Sequence, residues 1–136
     1  MGCAQVIVLD THAWVWWLSN PENLSKKARD RIEKSRKNNT INVSSISVWE
    51  VAMLVEKGRL KLTMDVMDWV AKSEALPFIH FIPVSNSIAL KSIQLPGELH
   101  ADPADRIIIA TAIIQRGTLV TKDDKILNYP HVETLW

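Results

Sequence analysis

Apolar and polar residues alternate along the chain in blocks that predict short buried strands separated by helices. The first apolar run, rich in β-branched residues, covers residues 5–9 and stops at Asp10, as expected for a buried parallel strand. Further short apolar runs predict strands at 41–43, 78–82 and 118–121, and a last one at 132–135. The strands are therefore spread over the whole chain and are not grouped in hairpins.

Between these runs, longer segments carry apolar residues at helical spacing or the residues that start and stop helices. Ser25 is a natural N-cap, and Gly58 and Gly117 are typical of residues that end a helix. The predicted helices cover residues 11–18, 25–37 with the cap, 44–57, 64–75, 85–94 and 106–115. Strands that alternate with helices predict the α/β class, a three-layer α/β/α sandwich with a central, mainly parallel sheet, in one domain over residues 1–136.

The overall composition excludes several classes of protein. A chain of 136 residues with 47% hydrophobic and 23% charged residues is average for one soluble globular domain. Cys3 is the one cysteine, which excludes a disulfide framework and favours a reducing compartment. No secretory signal and no apolar stretch of about 18 residues is present, so we expect a cytoplasmic protein without membrane contact.

The charge pattern does not by itself identify a substrate. The net charge of +1 argues against a protein that coats nucleic acid by bulk electrostatics. One basic segment is either a local patch that steers a phosphate backbone or the solvated face of a helix. Its residues are Lys26, Lys27, Arg29, Arg31, Lys34, Arg36 and Lys37.

Four acidic residues are placed to meet at one edge of the predicted sheet. Asp10 and Asp123 each closely follow a predicted strand, and Glu50 and Asp105 lie in or just before the first turns of predicted helices. In parallel α/β sheets the ligand site lies beyond the carboxyl ends of the strands, so all four carboxylates can reach one site. Taken singly, each acid also has a simpler interpretation as a helix cap, a partner of a helix dipole or a turn residue.

Carboxylates held close together repel one another, and a divalent cation removes that penalty. Mg²⁺ prefers such hard oxygen ligands, and Mn²⁺ accepts them as well. The histidines form no zinc-binding pattern, and the chain has no glycine-rich phosphate loop and no G-x-S-x-G motif. A magnesium ion among carboxylates activates water and neutralises phosphate charge, so the residues predict phosphodiester hydrolysis.

Four segments together resemble the PIN domain, and in particular the VapC-like toxins of type II toxin–antitoxin systems. They are VIVLDTHAWVWWL around Asp10, ISVWEVAMLVEKGRLKL around Glu50, HADPADRIIIATA around Asp105 and LVTKDDKILNYPHVETLW around Asp123. They occur in the family's order and extend from the first predicted strand to the last residue. The resemblance implies that these four acids form the catalytic metal site.

The resemblance also implies a function and partners. It predicts a magnesium-dependent ribonuclease that acts on RNA, forms a homodimer and is neutralised by a small antitoxin protein. The alternative is a catalytically silent PIN-like module that binds RNA or protein. A phosphoaspartyl enzyme of the haloacid dehalogenase type is not favoured, because it needs a second aspartate two residues after Asp10, where this chain has His12.

Several neighbours of the four acids receive supporting roles, each with a simpler alternative. Asp124 is the alternative to Asp123 in the T-x-D segment, and Asp102 is an acid that supports the ligands without binding the ion. The hydroxyl groups of Thr11 and Ser45 either orient the carboxylates or cap helices.

Residues of types that often contact nucleic acid lie near the acids in the sequence. Arg106 either contacts a phosphate or pairs with a nearby acid. The tryptophans of the first predicted helix either stack on RNA bases or pack in the core or a dimer interface, and packing is the favoured interpretation. These tryptophans are Trp14, Trp16 and Trp17.

Overall fold

A computed structural model describes residues 5–136 and contains a five-stranded sheet. The strands are β1 (Ile7–Leu9), β2 (Ile41–Ser44), β3 (Ile79–Ile82), β4 (Thr118–Val120) and β5 (Thr134–Leu135). Their order across the sheet is β3-β2-β1-β4-β5, and each neighbouring pair is parallel. The predicted strands and the parallel sheet are confirmed. Cys3, the basis of the predicted reducing compartment, lies outside the described residues.

Within residues 5–136, seven α-helices connect and follow these strands. They are α1 (Thr11–Ser19), α2 (Lys26–Lys37), α3 (Ser45–Glu56), α4 (Val66–Glu74), α5 (Asn86–Ile93), α6 (Pro103–Ile114) and α7 (Asp124–Leu127). The predicted start of α6 at Arg106 is wrong, because Asp102 caps the helix and Pro103, with its fixed φ, opens it. The four-residue α7 was not predicted. None of the described helices has the length and apolar character to cross a membrane.

The two faces of the sheet are covered by different helices. In β1, Ile7 and Leu9 pack in a buried cluster with residues of α1, α2 and α4, whereas Val8 packs with residues of α6 and α7. Because successive side chains of a strand point to opposite faces, helices lie on both sides of the sheet. This confirms the predicted three-layer arrangement.

The central position of β1 determines which loops meet. Its neighbours are β2 and β4, so the segments that follow these three parallel strands emerge side by side at the carboxyl edge. The backbone N–H of Asp10 donates to the carbonyl of Val120 at 3.1 Å, which extends the β1–β4 pairing to that edge. The residues that follow β1, β2 and β4 are therefore held by the most buried part of the sheet.

Helix α2 is amphipathic and carries the basic segment on its solvent side. Ala28 and Ile32 are buried on its inner face. On the outer face, exposed pairs join Lys26 to Asp30 at 2.7 Å and Arg36 to Glu33 at 3.0 Å. This agrees with the interpretation of the basic segment as a solvated helix face.

Two alanine substitutions in α2 test this assignment of faces. We expect Ile32→Ala to lower the free energy of unfolding by about 2–5 kcal/mol, because it leaves a cavity in the core. Lys34→Ala, on the exposed face of the same helix, should change it by less than about 0.5 kcal/mol. Urea denaturation of both variants measures the difference. Equal losses in the two variants would show that the inner face is misassigned.

Candidate active site

A cavity of about 460 Å³ opens at the carboxyl edge of the sheet, where the segments after β1 and β4 meet the first turn of α6. The four predicted acids all line it, together with a fifth acid, Asp102. The full lining is Asp10, Thr11, His12, Trp16, Glu50, Asp102, Asp105, Lys122 and Asp123. The fold therefore brings carboxylates from five positions of the chain into one space.

Asp10 connects the end of β1 to the start of α1. Its Oδ1 accepts a hydrogen bond from the N–H of Ala13 at 2.8 Å, which makes it the N-cap of α1. Its Oδ2 accepts from the hydroxyl of Thr121 at 2.5 Å. Asp10 can therefore cap α1 and bind a cation at the same time, because each carboxylate oxygen has a second lone pair available.

Glu50 is oriented by a short chain of hydroxyl groups. The Oγ1 of Thr11 lies 2.5 Å from Oε1 of Glu50 and 2.9 Å from Oγ of Ser47. Because a hydroxyl has one hydrogen, Thr11 donates to the charged carboxylate and accepts from Ser47. The sequence prediction named Ser45 for this type of role, but the hydroxyl that bonds Thr11 belongs to Ser47, which lies one helical turn before Glu50.

Asp102 and Asp105 are held together by the start of α6. The N–H of Asp105 donates to Oδ1 of Asp102 at 2.8 Å, the bond expected between an N-cap and the third residue of a helix. Asp102 is exposed and Asp105 is half-buried. Because α6 begins at Pro103, Asp105 lies inside the first helical turn, where the helix dipole favours negative charge.

Thr121 links two of the acids and was missed as a site residue. It is fully buried, donates to Asp10 as described, and its Oγ1 accepts a hydrogen bond from the N–H of Asp123 at 3.1 Å. The side chain of Asp123 in turn caps α7 by accepting from the N–H of Lys125 at 2.9 Å. The T-x-D spacing contained this signal, since its threonine is the residue that positions the aspartate.

Three residues with predicted supporting roles, Ser45, Asp124 and Arg106, lie outside the cavity lining. Asp124 is exposed and does not line the cavity, whereas its neighbour Asp123 does. Arg106 uses its guanidinium to hold the backbone of the preceding elements. Its Nε donates to the carbonyl of Ser92 at 2.9 Å and its Nη1 to that of Leu99 at 3.2 Å.

Burial and mutual repulsion raise the pKa of two of the acids. Burial is the main cause for Asp10, whose pKa lies above its usual value although Thr121, Ala13 and His12 act to lower it. For Asp105, burial and then the charges of Asp102 and Glu50 raise the pKa from 3.8 to about 7. Without a cation, the Asp105 carboxyl therefore keeps its proton at a pH where isolated carboxylates are ionised.

The donor set fits a hard divalent cation. Glu50, Asp102 and Asp105 each offer an oxygen, and the three oxygens lie within 4.8 Å of one another. Among residues 5–136 this is the set of three acids whose oxygens lie this close together, so the exposed Asp102 stands beside Glu50 and Asp105. Asp10 and Asp123 complete the wall of carboxylates in the same cavity. Carboxylate oxygens that repel one another suit Mg²⁺ or Mn²⁺.

Comparison with known proteins gives similar chains over nearly the whole length. The sequence profile of the PIN domain matches residues 7–132. Ribonuclease VapC22 of Mycobacterium tuberculosis is 33% identical over 132 residues, which cover 96% of this chain and 98% of that protein.

Two solved structures share the fold. In VapBC2 from Rickettsia felis bound to a promoter DNA fragment, the matching chain has a TM-score of 0.72, 23% identity, and coverage of 96% of this chain and 97% of that one. FitAcB from Neisseria gonorrhoeae matches with a TM-score of 0.69, 19% identity, and the same coverage of each chain.

The raised pKa of Asp105 predicts a pH-dependent effect of Asp105→Asn on stability in the absence of metal. Between pH 4 and 7 the folded carboxyl keeps a proton that the unfolded chain has lost, so wild-type stability falls as pH rises through this window. We expect the variant to be more stable than wild type at pH 8, by about 1–2 kcal/mol after solvent screening of this half-exposed group. At pH 4 the gain should disappear.

Urea denaturation with a chelator at both pH values measures this difference. Asp124→Asn is the control, because this exposed neighbour lies outside the cavity and its removal should change stability little at either pH. A loss of stability at pH 8 in Asp105→Asn would contradict the proposed repulsion.

Proposed function

The chain belongs to the PIN-domain family, and we propose that it is a magnesium-dependent endoribonuclease, the toxin of a toxin–antitoxin pair. The main support for an enzyme is the convergence of Asp10, Glu50, Asp105 and Asp123 in one cavity. The similarity to a ribonuclease of 33% identity over nearly the whole chain supports RNA as the substrate. Carboxylates this close together repel one another unless a cation binds them, and a scaffold that binds no metal would bear this electrostatic cost without using it.

We propose that Glu50 and Asp105 bind the ion directly with Asp10 and Asp123, and that Asp102 supports them from the cavity rim. A bound Mg²⁺ supplies an activated water and neutralises charge on the phosphate. The protein supplies orientation, because Thr11 fixes Glu50 and Thr121 fixes Asp10 through charge-assisted hydrogen bonds. Lys122, which lines the same cavity, offers positive charge to an incoming RNA strand.

Exposed apolar residues support the proposed protein partners. A groove between α3 and α4 is lined by Val48, Ala52, Val70 and Met67, whose side chain is 78% exposed. We propose that the antitoxin covers this groove, since solved relatives of this fold include toxin–antitoxin complexes.

A second apolar surface lies on α5 and α6. Leu90, Ile93 and Ile114 are exposed there by 61%, 77% and 43%. We propose this surface as the homodimer interface, because exposed aliphatic residues on two adjacent helices are typical of the apolar centre of such contacts.

The central test is RNA cleavage with and without the acids. Purified protein with Mg²⁺ or Mn²⁺ should cleave single-stranded RNA, and Asp105→Asn should lower the rate by about 100-fold or more, because it removes a charged ligand. The ion should also raise the melting temperature of wild type more than that of the variant, since ligand binding stabilises the folded state.

Asp124→Asn is the matched control for this experiment, and its cleavage should be close to that of wild type. Equal cleavage by wild type and Asp105→Asn would mean that a contaminating nuclease acts. RNA binding with neither cleavage nor a metal-dependent change in melting temperature would favour the silent binding module.

The role of Thr121 is tested by two substitutions of the same residue. Thr121→Val keeps the shape but removes the hydroxyl that donates to Asp10, so the pKa of Asp10 should rise further and metal affinity should fall by about 10- to 100-fold. Thr121→Ser keeps the hydroxyl and should retain most of the affinity. Calorimetric titration with Mn²⁺ measures both. If valine and serine variants bind the ion equally, the hydroxyl has no part in the site.

A further inference from the structure

One tryptophan of α1 faces the acidic cavity, unlike its two neighbours. Trp14 is fully buried, with ring centroids 4.7 Å from Trp69 and 5.6 Å from Phe81, and Trp17 packs on Phe78 at 5.7 Å. Trp14 is a core residue and Trp17 packs against the same core, as the favoured interpretation of the sequence predicted. Trp16 is half-buried and also contacts this core, but it is the tryptophan of α1 that lines the cavity.

Trp16 is the centre of a group of aromatic and cationic side chains. His12, one helical turn before it, has its ring centroid at 5.5 Å and a tilt of 48°. The Nζ of Lys122 lies 5.7 Å from the centroid of the indole, within the range of a cation–π contact. Trp136, which does not line the cavity, packs against the indole at 5.9 Å and supports it from outside. We call His12, Trp16 and Lys122 the aromatic wall.

The aromatic wall has chemistry that a metal site does not need. Carboxylates and a cation account for hydrolysis at the phosphate, but an indole in the same cavity as the acids offers a flat apolar surface to a second part of the ligand. The part of RNA that combines a flat π face with a nearby negative charge is a nucleotide whose base is unpaired. The cation of Lys122 beside the indole suits the phosphate that such a nucleotide carries.

From this geometry, and resting on the proposed ribonuclease function, we infer that the aromatic wall is a subsite for one unpaired nucleobase next to the cleaved phosphodiester. The base stacks on the Trp16 indole, and Lys122 contacts the adjacent phosphate. A paired base presents its edges and not its faces, so this subsite selects RNA whose nucleotide at this position is unstacked. Trp16 is then a residue that determines substrate choice, while the acids carry out hydrolysis.

A double-mutant cycle between protein and RNA tests the subsite. The probes are a short fluorescent single-stranded RNA that wild type cleaves with Mg²⁺, and matched RNAs with an abasic ribose at each nucleotide flanking the cleaved bond. We expect Trp16→Ala to raise KM for the intact RNA by about 5- to 100-fold, the loss typical of one base–aromatic stack. Removing the stacked base should raise the KM of wild type by a similar factor. Both changes together should raise KM no more than either change alone, because each removes the same stacking contact.

Three further variants separate stacking from other effects. Trp16→Phe keeps an aromatic surface and should retain most of the affinity. Trp49→Ala removes a tryptophan that is 56% exposed on α3 and does not line the cavity, so its KM should equal that of wild type. Lys122→Gln should weaken binding and reduce the salt dependence by about one phosphate contact. Thermal denaturation of each variant shows whether it is folded.

The outcomes distinguish this inference from the proposed function. If wild type cleaves RNA but Trp16→Ala has an unchanged KM, or if the losses from Trp16→Ala and from the abasic ribose simply add at every position, the subsite is overturned and the ribonuclease stands. If wild type cleaves no RNA with Mg²⁺ or Mn²⁺, the ribonuclease proposal is overturned and the subsite is overturned with it.

Discussion

Electrostatic repulsion among carboxylates is the constraint on which the arrangement of this protein depends. Five acids line one cavity, and two of them have a raised pKa because burial and neighbouring charges disfavour ionisation. The rest of the fold must hold these groups together against that repulsion. It does so with the most buried part of the molecule, because β1 is fully buried and lies between β2 and β4 at the centre of the sheet.

The side chains that repel one another also make local hydrogen bonds that stabilise the fold. Asp10, Asp102 and Asp123 each accept a hydrogen bond from a backbone N–H and so cap α1, α6 and α7. These bonds are worth about 1 kcal/mol each and offset part of the electrostatic cost. Capping and metal binding are therefore compatible interpretations of the same residues, whereas in the sequence they appear as alternatives.

Features encoded locally could be predicted from the sequence, and features that depend on three-dimensional neighbours could not. The strand that ends before Asp10 and the helix capped by Ser25 follow from short patterns, and both are present. The roles of Ser47 and Thr121 depend on which side chains across the sheet come within hydrogen-bond distance, 36 and 111 residues away in sequence. The position of Asp102 beside Glu50 similarly depends on where α6 begins, and the apolar pattern that predicted a start at Arg106 does not include the helical turn that Pro103 opens.

The capping bonds have a consequence for how such a protein can change over generations. An asparagine in place of a capping aspartate keeps the oxygen that accepts the backbone hydrogen bond, but it lacks the charge that binds a cation. A single-nucleotide change in an aspartate codon produces this exchange. A variant that has lost catalysis but keeps the fold and its protein-binding surfaces is thus one nucleotide substitution away from the active form.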